Sequence, residues 1–200
     1  MKNKIRRVAR QLSLPVSALA GALFAAGVIF GLIAYLDRSP VRQKNIPGAS
    51  AWSQHLVVAA VAFVLFGYAW WRRQRRFGRR SGRLWLLAPF GKPAARRVTR
   101  TVAAGLGRQP GRGRALLALP PIAAFLYCLA RMGEQVTAGL DPNFTINAWG
   151  GPTYLGAMAC HYLDFLLAMA AAAWLLDRIM LPGPASSAPA LSPVQAGSPA

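Results

Sequence analysis

Four long apolar runs, separated by polar or strongly basic stretches, set the pattern of this chain. The first run extends over 23 residues, from Leu14 to Leu36, without a charge. A helix needs about 20 apolar residues to cross the ~30 Å hydrocarbon core of a bilayer. The other runs lie at about 51–71, 115–130 and 154–176. We therefore predict an all-α fold, an integral membrane bundle of four transmembrane helices.

Local features support the second span and mark the third. Trp52 and Trp70-Trp71 lie at the two ends of the second run, where indole rings favour the membrane interfaces. The third run is short, and Pro120-Pro121 interrupts it. Proline removes a backbone donor and kinks a helix, so we expect the carbonyls freed there to find partners inside the bundle.

The two chain ends differ in composition from the spans. Residues 1–13 are basic, and the apolar run that follows is longer than the ~7–15 residues of a signal peptide, so we expect an uncleaved anchor. Residues 182–200 are rich in Pro, Ala and Ser and carry no charge. Such a segment cannot bury enough apolar surface to fold, and we predict a disordered tail.

Charge is scarce along the chain and almost entirely of one sign. The chain carries 24 Lys and Arg residues against 5 Asp and Glu, a formal net charge of +19. Fourteen of the basic residues lie between Arg72 and Arg114, a segment without any acidic residue. With a cytoplasmic N-terminus, twenty basic residues lie inside and four outside, so the positive-inside rule predicts both termini in the cytoplasm. The abundance of Ala, Arg, Gly and Pro is typical of high-GC genomes and predicts a bacterial plasma membrane.

The basic loop at 72–114 has a pattern of its own. Ala95, Val98, Val102 and Leu106 are spaced as one face of a helix, with arginines on another face. Such an amphipathic helix lies among lipid headgroups, where each basic residue near an anionic leaflet contributes about 1 kcal/mol. The residues that we expect to contact a polyanion are Arg72, Arg73, Arg75, Arg76, Arg79, Arg80, Arg83, Arg96, Arg97 and Arg100.

Two kinds of polyanion suit this loop. Clusters of Lys and Arg bind DNA or RNA phosphates through salt-dependent, non-specific contacts. The sequence has no helix-turn-helix, zinc finger or RNA-binding aromatic motif, so base-specific recognition is not expected. We favour contact with anionic lipid, which also enforces topology, and keep nucleic acid or an acidic protein as the alternative.

Gly27 and Gly31 form a GxxxG pair in the first span, a spacing that lets two helix backbones approach closely. The partner helix is either another span of the same chain or the same span of a second copy. The sequence leaves both open, and we expect self-association or other membrane proteins among the partners.

The fourth span holds the polar pair His161 and Asp164, three residues apart and hence on one helix face. A carboxylate at the bilayer centre costs ~2.5–3.5 kcal/mol on insertion scales, so Asp164 needs a partner or a proton. His161 is the nearest candidate, and the hydroxyl of Tyr127 is another. The pair is interpreted either as an ion or proton relay or as a structural contact between helices.

His55 and His161 are the two histidines of the chain, on different predicted spans. They are candidates to ligate a b-type haem, or to join Asp164 in a metal site. Neither lies in a recognisable motif, so we predict no cofactor. Cys128 and Cys160 fall inside apolar runs and are expected to be small buried hydrophobic residues.

No nucleophile–base pair, P-loop, dinucleotide fingerprint or HExxH motif is present, so we predict a non-enzymatic protein. The leading hypothesis is an accessory subunit of a larger membrane assembly, such as a DNA-transfer apparatus, whose basic loop binds anionic lipid and, by extension, DNA. One alternative is a transporter or proton-coupled subunit that uses His161 and Asp164. The other is a haem or metal-binding redox protein that uses His55 and His161.

Overall fold

The computed structural model describes residues 11–77, 88–107 and 111–182; of residues 76 and 77 it describes the backbone alone. Its helices are α1 (Leu14–Leu36), α2 (Trp52–Phe77), α3 (Lys92–Leu106), α4 (Arg112–Ala138), α5 (Pro142–Thr145) and α6 (Tyr154–Ile179), with a 3-10 turn at Ala88–Phe90. There is no β-strand within the described ranges, and α1, α2, α4 and α6 are long and apolar enough to span a membrane. The predicted all-α bundle of four transmembrane helices is confirmed.

Three of the spanning helices keep close to their predicted bounds. α1 covers the predicted run from Leu14 to Leu36 residue for residue. α2 continues past residue 71 to Phe77, so the first arginines of the basic segment extend this helix rather than begin a loop. α6 extends from Tyr154 to Ile179, a little beyond residue 176. The predicted N-terminal segment and C-terminal tail lie almost wholly outside the described residues.

α4 departs most from its prediction, which placed the span at 115–130. The helix continues through Pro120 and Pro121 and ends at Ala138. Arg131, just beyond the predicted span, lies inside α4 and forms an ion pair with Glu134. Residues three apart on a helix lie side by side, so this pair continues the helix beyond the apolar run.

Glycines on facing sides bring α1 and α4 into backbone contact. A Cβ atom on Gly27 would lie 2.0 Å from the carbonyl oxygen of Ala130, and one on Gly31 would lie 2.1 Å from that of Glu134. From the other side, a Cβ atom on Gly133 would lie 2.0 Å from a backbone oxygen of α1. Since a larger residue would push the helices apart, the GxxxG pair of α1 serves packing within the chain.

The two ends of the bundle differ in character. One end, here called the basic end, comprises residues 11–13, 72–77, 88–107, 111–114 and 177–182. The opposite end, here called the polar cap, comprises residues 37–51 and 139–153. α1 and α4 run from the basic end to the polar cap, and α2 and α6 run back.

Two asparagines hold the polar cap together. Asn143 accepts a hydrogen bond from the backbone N–H of Gln43 and donates one to the backbone carbonyl of Val41, both at 2.9 Å. In the same way, Asn147 accepts from the N–H of Ile46 at 2.8 Å and donates to the backbone carbonyl of Lys44 at 3.3 Å. Each side-chain amide thus bonds one backbone N–H and one backbone carbonyl, as the backbone of a paired β-strand does. The two asparagines together fix the segment 41–46 against residues 143–147.

Candidate functional site

Arg97 of α3 binds the end of α6. Its guanidinium pairs with the carboxylate of Asp177 and donates to the carbonyls of Asp177 at 2.7 Å and of Met180 and Leu181 at 3.2 Å each. The last carbonyls of a helix have no partner within it, so a cation there satisfies them and complements the negative end of the helix dipole. The Arg97 side chain is 22% exposed, and it is committed to the fold at this end.

Thr101 and Arg100 strengthen the same attachment. The Thr101 side chain is buried; its hydroxyl donates to the carbonyl of Arg97 at 2.8 Å and accepts from the N–H of Leu181 at 3.1 Å. Arg100 donates to the carbonyl of Pro182 at 3.0 Å. One stretch of α3, residues 97–101, therefore holds the chain where it leaves α6.

α3 is also fixed against α1 and α4. Phe90, just before α3, packs on Phe125 of α4 with ring centroids 5.6 Å apart, and its carbonyl accepts the N–H of Ser13 at 2.8 Å. Near the other end of α3, a Cβ atom on Gly105 would lie 2.4 Å from the Cβ of Ala115. These contacts at both ends give α3 one orientation relative to the bundle.

The fixed orientation gives α3 three faces. The first face, toward the bundle, carries Ala94, Arg97, Thr101 and Gly105. The second carries Val102 and Leu106, and the third carries Lys92, Arg96 and Arg100. Val102 is 41% exposed and Leu106 is 83% exposed, so the second face is an open apolar strip. The third face is exposed and basic. Arg97 leaves the predicted polyanion-contacting set, because its guanidinium is committed to α6.

The remaining predicted basic residues fall into two groups. The last turns of α2 carry Arg72, Arg73 and Arg75. The guanidinium of Arg75 lies 4.3 Å from the ring centroid of Trp71, a cation–π contact on an exposed part of the helix. The side chain of Arg76 and the whole of Arg79, Arg80 and Arg83 lie outside the part of the chain that the structure describes.

Little negative charge offsets the basic end. The sequence holds five acidic residues: Asp37 and Asp141 in the polar cap, Glu134 and Asp164 inside the bundle, and Asp177 at the basic end. Arg97 binds Asp177. The charge of Lys92 and Arg96 therefore has no acidic side chain of this chain left to pair with at this end.

Inside the bundle, Asp164 of α6 binds His55 of α2. Nε2 of His55 lies 3.2 Å from Oδ2 of Asp164, and Nδ1 lies 2.9 Å from the carbonyl oxygen of Ala51. The His55 side chain is 11% exposed and that of Asp164 is 36% exposed. Asp164 was expected to need a partner; that partner is His55 on another helix, and not His161 one turn away.

The contacts of His55 determine how many protons the pair holds. A carbonyl oxygen only accepts, so Nδ1 must carry a hydrogen to bond Ala51. Nε2 then faces a carboxyl oxygen, and a hydrogen bond there needs one proton, on either Nε2 or Asp164. The pair is neutral in both arrangements, which removes the cost of a lone carboxylate inside the membrane.

Trp149 of the polar cap joins the two histidines. Its ring centroid lies 5.6 Å from that of His55 and 6.4 Å from that of His161, and the second contact is stacked. Its carbonyl accepts the N–H of Ala51 at 2.7 Å. The chain just before α6 thus folds back along that helix and meets the start of α2. Sequence reasoning did not identify Trp149 as part of this site.

The arrangement of the histidines does not suit a haem. Two axial imidazoles must aim one nitrogen each at a single iron. Here Nε2 of His55 faces Asp164, and the indole of Trp149 packs against both imidazole rings. Among the described residues, no three or more His, Cys, Asp or Glu side chains converge on a point where a metal ion would fit.

Sequence reasoning also missed Gln135, the largest fully buried side chain among the described residues. Both polar atoms of its amide are buried without a hydrogen-bond partner. Gln135 lies on α4 between Met132 and Val136, whose carbonyls accept the hydroxyls of Tyr162 and Tyr154 of α6. A polar residue just past an apolar run, in helical register with Arg131, was the available signal.

Two regions of the structure therefore concentrate unusual chemistry. The basic end presents a docked helix with an open apolar strip beside the exposed Lys92 and Arg96. The half of the bundle near the polar cap contains the His55–Asp164 pair between two helices.

Comparisons with protein-family models, with curated proteins and with solved structures gave no match to this chain.

Proposed function

We propose that this protein is a non-enzymatic, multi-pass membrane protein that docks its basic end on the anionic headgroups of one leaflet. In this role it serves as a component of a larger membrane assembly. The observation that carries the proposal is the fixed orientation of α3. Arg97 is committed to α6, while Lys92 and Arg96 stay exposed next to the open strip of Val102 and Leu106.

The three faces of α3 match the chemistry of a membrane surface. The free energy falls when an apolar strip enters the boundary between headgroups and acyl chains, and basic side chains beside the strip reach the phosphates. Each basic residue near an anionic surface contributes about 1 kcal/mol, although neighbouring charges repel and salt screens them. Because α3 is already docked, binding does not have to pay for ordering it.

Nucleic acid satisfies only part of this surface. Phosphates of DNA would pair with Lys92 and Arg96 through salt-dependent contacts. A phosphate backbone offers no apolar surface for Val102 and Leu106, which are 41% and 83% exposed. Lipid supplies both phosphate groups and apolar surface, so we favour lipid as the binding partner. DNA binding, and with it a DNA-transfer assembly, remains a hypothesis for the partner.

The charge distribution also supports an orientation. Since the positive-inside rule counts Lys and Arg in short loops, the basic end belongs on the cytoplasmic side, and both termini with it. The composition, rich in Ala, Arg, Gly and Pro, fits a bacterial plasma membrane. In that membrane the basic end would meet the anionic lipids of the inner leaflet.

Lipid retention in native mass spectrometry tests the proposal. We expect the full chain to keep phosphatidylglycerol in preference to phosphatidylcholine, and K92Q/R96Q to lose most of that preference. R42Q/K44Q is the matched control, because it also removes one Lys and one Arg, from the polar cap. Equal retention by the two double variants would contradict the proposal. Salt-dependent binding of duplex DNA by nanodisc-embedded protein, lost in K92Q/R96Q, would favour nucleic acid instead.

A further inference from the structure

α2 is the span with the least packing in the described structure. No residue from Trp52 to Arg75 is buried, whereas each of α1, α4 and α6 buries two or more residues. Polar contacts join the start of α2 to the rest of the bundle. Among them, the Ala51 N–H donates to the Trp149 carbonyl, and His55 bonds Asp164.

We propose that His55 and Asp164 form a proton-binding site inside the membrane, and that its single proton holds α2 against α6. With the proton present, Nε2 and Oδ2 share a hydrogen bond across the two helices. Without it, His55 keeps one ring hydrogen and cannot donate to both the Ala51 carbonyl and Asp164: with the hydrogen on Nδ1, a nitrogen lone pair faces a carboxylate at 3.2 Å, and with it on Nε2, the bond to Ala51 is lost. In both cases the pair becomes an anion between the helices with one hydrogen bond fewer, which weakens the attachment of α2 to α6.

The accessibility of the pair permits proton exchange. The imidazole of His55 is enclosed at 11% exposure, which protects the hydrogen bond from competing water. The Asp164 side chain is 36% exposed at the surface of the bundle, so it is not sealed between the helices. A fully enclosed pair would be structural only, and a fully exposed one would not link two helices firmly.

The titratable groups around the pair come from two helices. On α6 they are Cys160 and His161, both within electrostatic reach of Asp164. On α4, Arg131 acts on His161 and is itself paired with Glu134. His161 is the one neighbour that could exchange a proton with the pair at moderate pH, and Trp149 packs between the two imidazole-bearing helices.

Two substitutions at Asp164 separate proton binding from helix contact. Asp164→Asn keeps the contact without a shared proton, since the amide N–H donates to Nε2 of a neutral His55. Asp164→Leu removes the hydrogen bond altogether at similar volume. The proposal requires the Asn variant to stay docked at every pH and the Leu variant to be released at every pH.

Distances between spin labels on α2 and α6 provide the readout. Val64 and Leu166 are 66% and 56% exposed, so Val64→Cys and Leu166→Cys label readily, while native Cys128 and Cys160 are buried. In nanodiscs we expect the distance in the otherwise unchanged chain to lengthen and broaden as pH rises from about 5 to about 10. Asp164→Asn should show the short distance throughout, and Asp164→Leu the long one.

Ring-¹⁵N labelling of histidine tests the proton itself, because the chain has only two histidines. His161→Gln assigns the remaining signals to His55. We expect the Nε2 signal of His55 to show a proton shared with Asp164, and Asp164→Asn to change its pH dependence, with Asp37→Asn as a control that changes nothing. A distance independent of pH in the unchanged chain, or identical His55 signals with and without Asp164, would overturn the proposal.

Discussion

The guanidinium of Arg97 binds the carboxylate of Asp177 although 80 residues separate them along the chain. This contact attaches the basic helix α3 to the last turn of α6, and it fixes which residues of α3 face outward. Arg96, next in sequence, stays exposed. Neighbouring arginines therefore have different roles, one in holding the fold and one in presenting charge.

Substitution of Arg97 should loosen the basic end. Arg97→Ala removes four hydrogen bonds, counting the ion pair, and takes this donor from the carbonyls of Asp177, Met180 and Leu181. We expect a loss of about 1–3 kcal/mol in the free energy of unfolding, since bonds to charged groups are strong but Asp177 is largely exposed. Thermal unfolding in detergent measures the loss, and hydrogen exchange at the Leu181 amide should accelerate.

Arg96→Ala is the matched control for that experiment. It removes the same side chain from the adjacent position, where it is exposed. We expect Arg96→Ala to change stability by less than about 0.5 kcal/mol. If the two variants unfold alike, α3 is not held by Arg97 in the way described.

The packing of α1 on α4 predicts a strong difference between two glycines of the same helix. Gly27→Ala would place a Cβ atom 2.0 Å from the Ala130 carbonyl oxygen, whereas a Cβ atom on Gly21 would meet nothing within 4 Å. We expect Gly27→Ala to destabilise the protein by about 1–3 kcal/mol through overpacking. Gly21→Ala should be neutral or slightly stabilising, because alanine favours the helix.

Measurement of molecular mass on the same pair of variants separates packing within the chain from self-association. Since the structure uses the Gly27–Gly31 face for α4, Gly27→Ala should lower the melting temperature without changing the oligomeric state in detergent. A dimer that dissociates in Gly27→Ala, with monomer stability unchanged, would mean that this face meets a second copy.

The asparagines of the polar cap predict protection of individual backbone amides. Asn143→Ala should speed hydrogen exchange at the Gln43 amide and Asn147→Ala at the Ile46 amide, because each side chain accepts from that N–H. We expect little change in global stability, since these contacts are exposed. The amide of Ala49, bonded to the Ile46 carbonyl, is an internal control for Asn143→Ala. Uniform protection in both variants would show that the asparagines do not hold the segment.

The spans could be predicted because their signal is local. An uncharged run as long as Leu14–Leu36 has few structures open to it other than a membrane helix. The same reasoning ended the third span too early, because it stopped at the first charge. Arg131 and Glu134 neutralise each other one turn apart, which allows α4 to continue to Ala138.

The contacts of the candidate sites were harder to predict because they depend on which helices meet. Spacing alone groups Asp164 with His161, but the bond to His55 follows from how the start of α2 rests against α6. Likewise, Arg96 and Arg97 look alike in sequence until Thr101 and Gly105 define the face of α3 that packs on the bundle. Small residues on that helix were the overlooked signal.

The central claim is that α3 lies in the headgroup region with its apolar strip in lipid, and the depth of spin labels on α3 tests it most directly. Leu106→Cys places a label on the strip, and Ala103→Cys places one on the exposed basic side. In vesicles containing phosphatidylglycerol, we predict that the label at 106 is relaxed mainly by oxygen from the bilayer and the label at 103 mainly by a water-soluble nickel complex. Equal, fully aqueous accessibility at both positions would contradict the account.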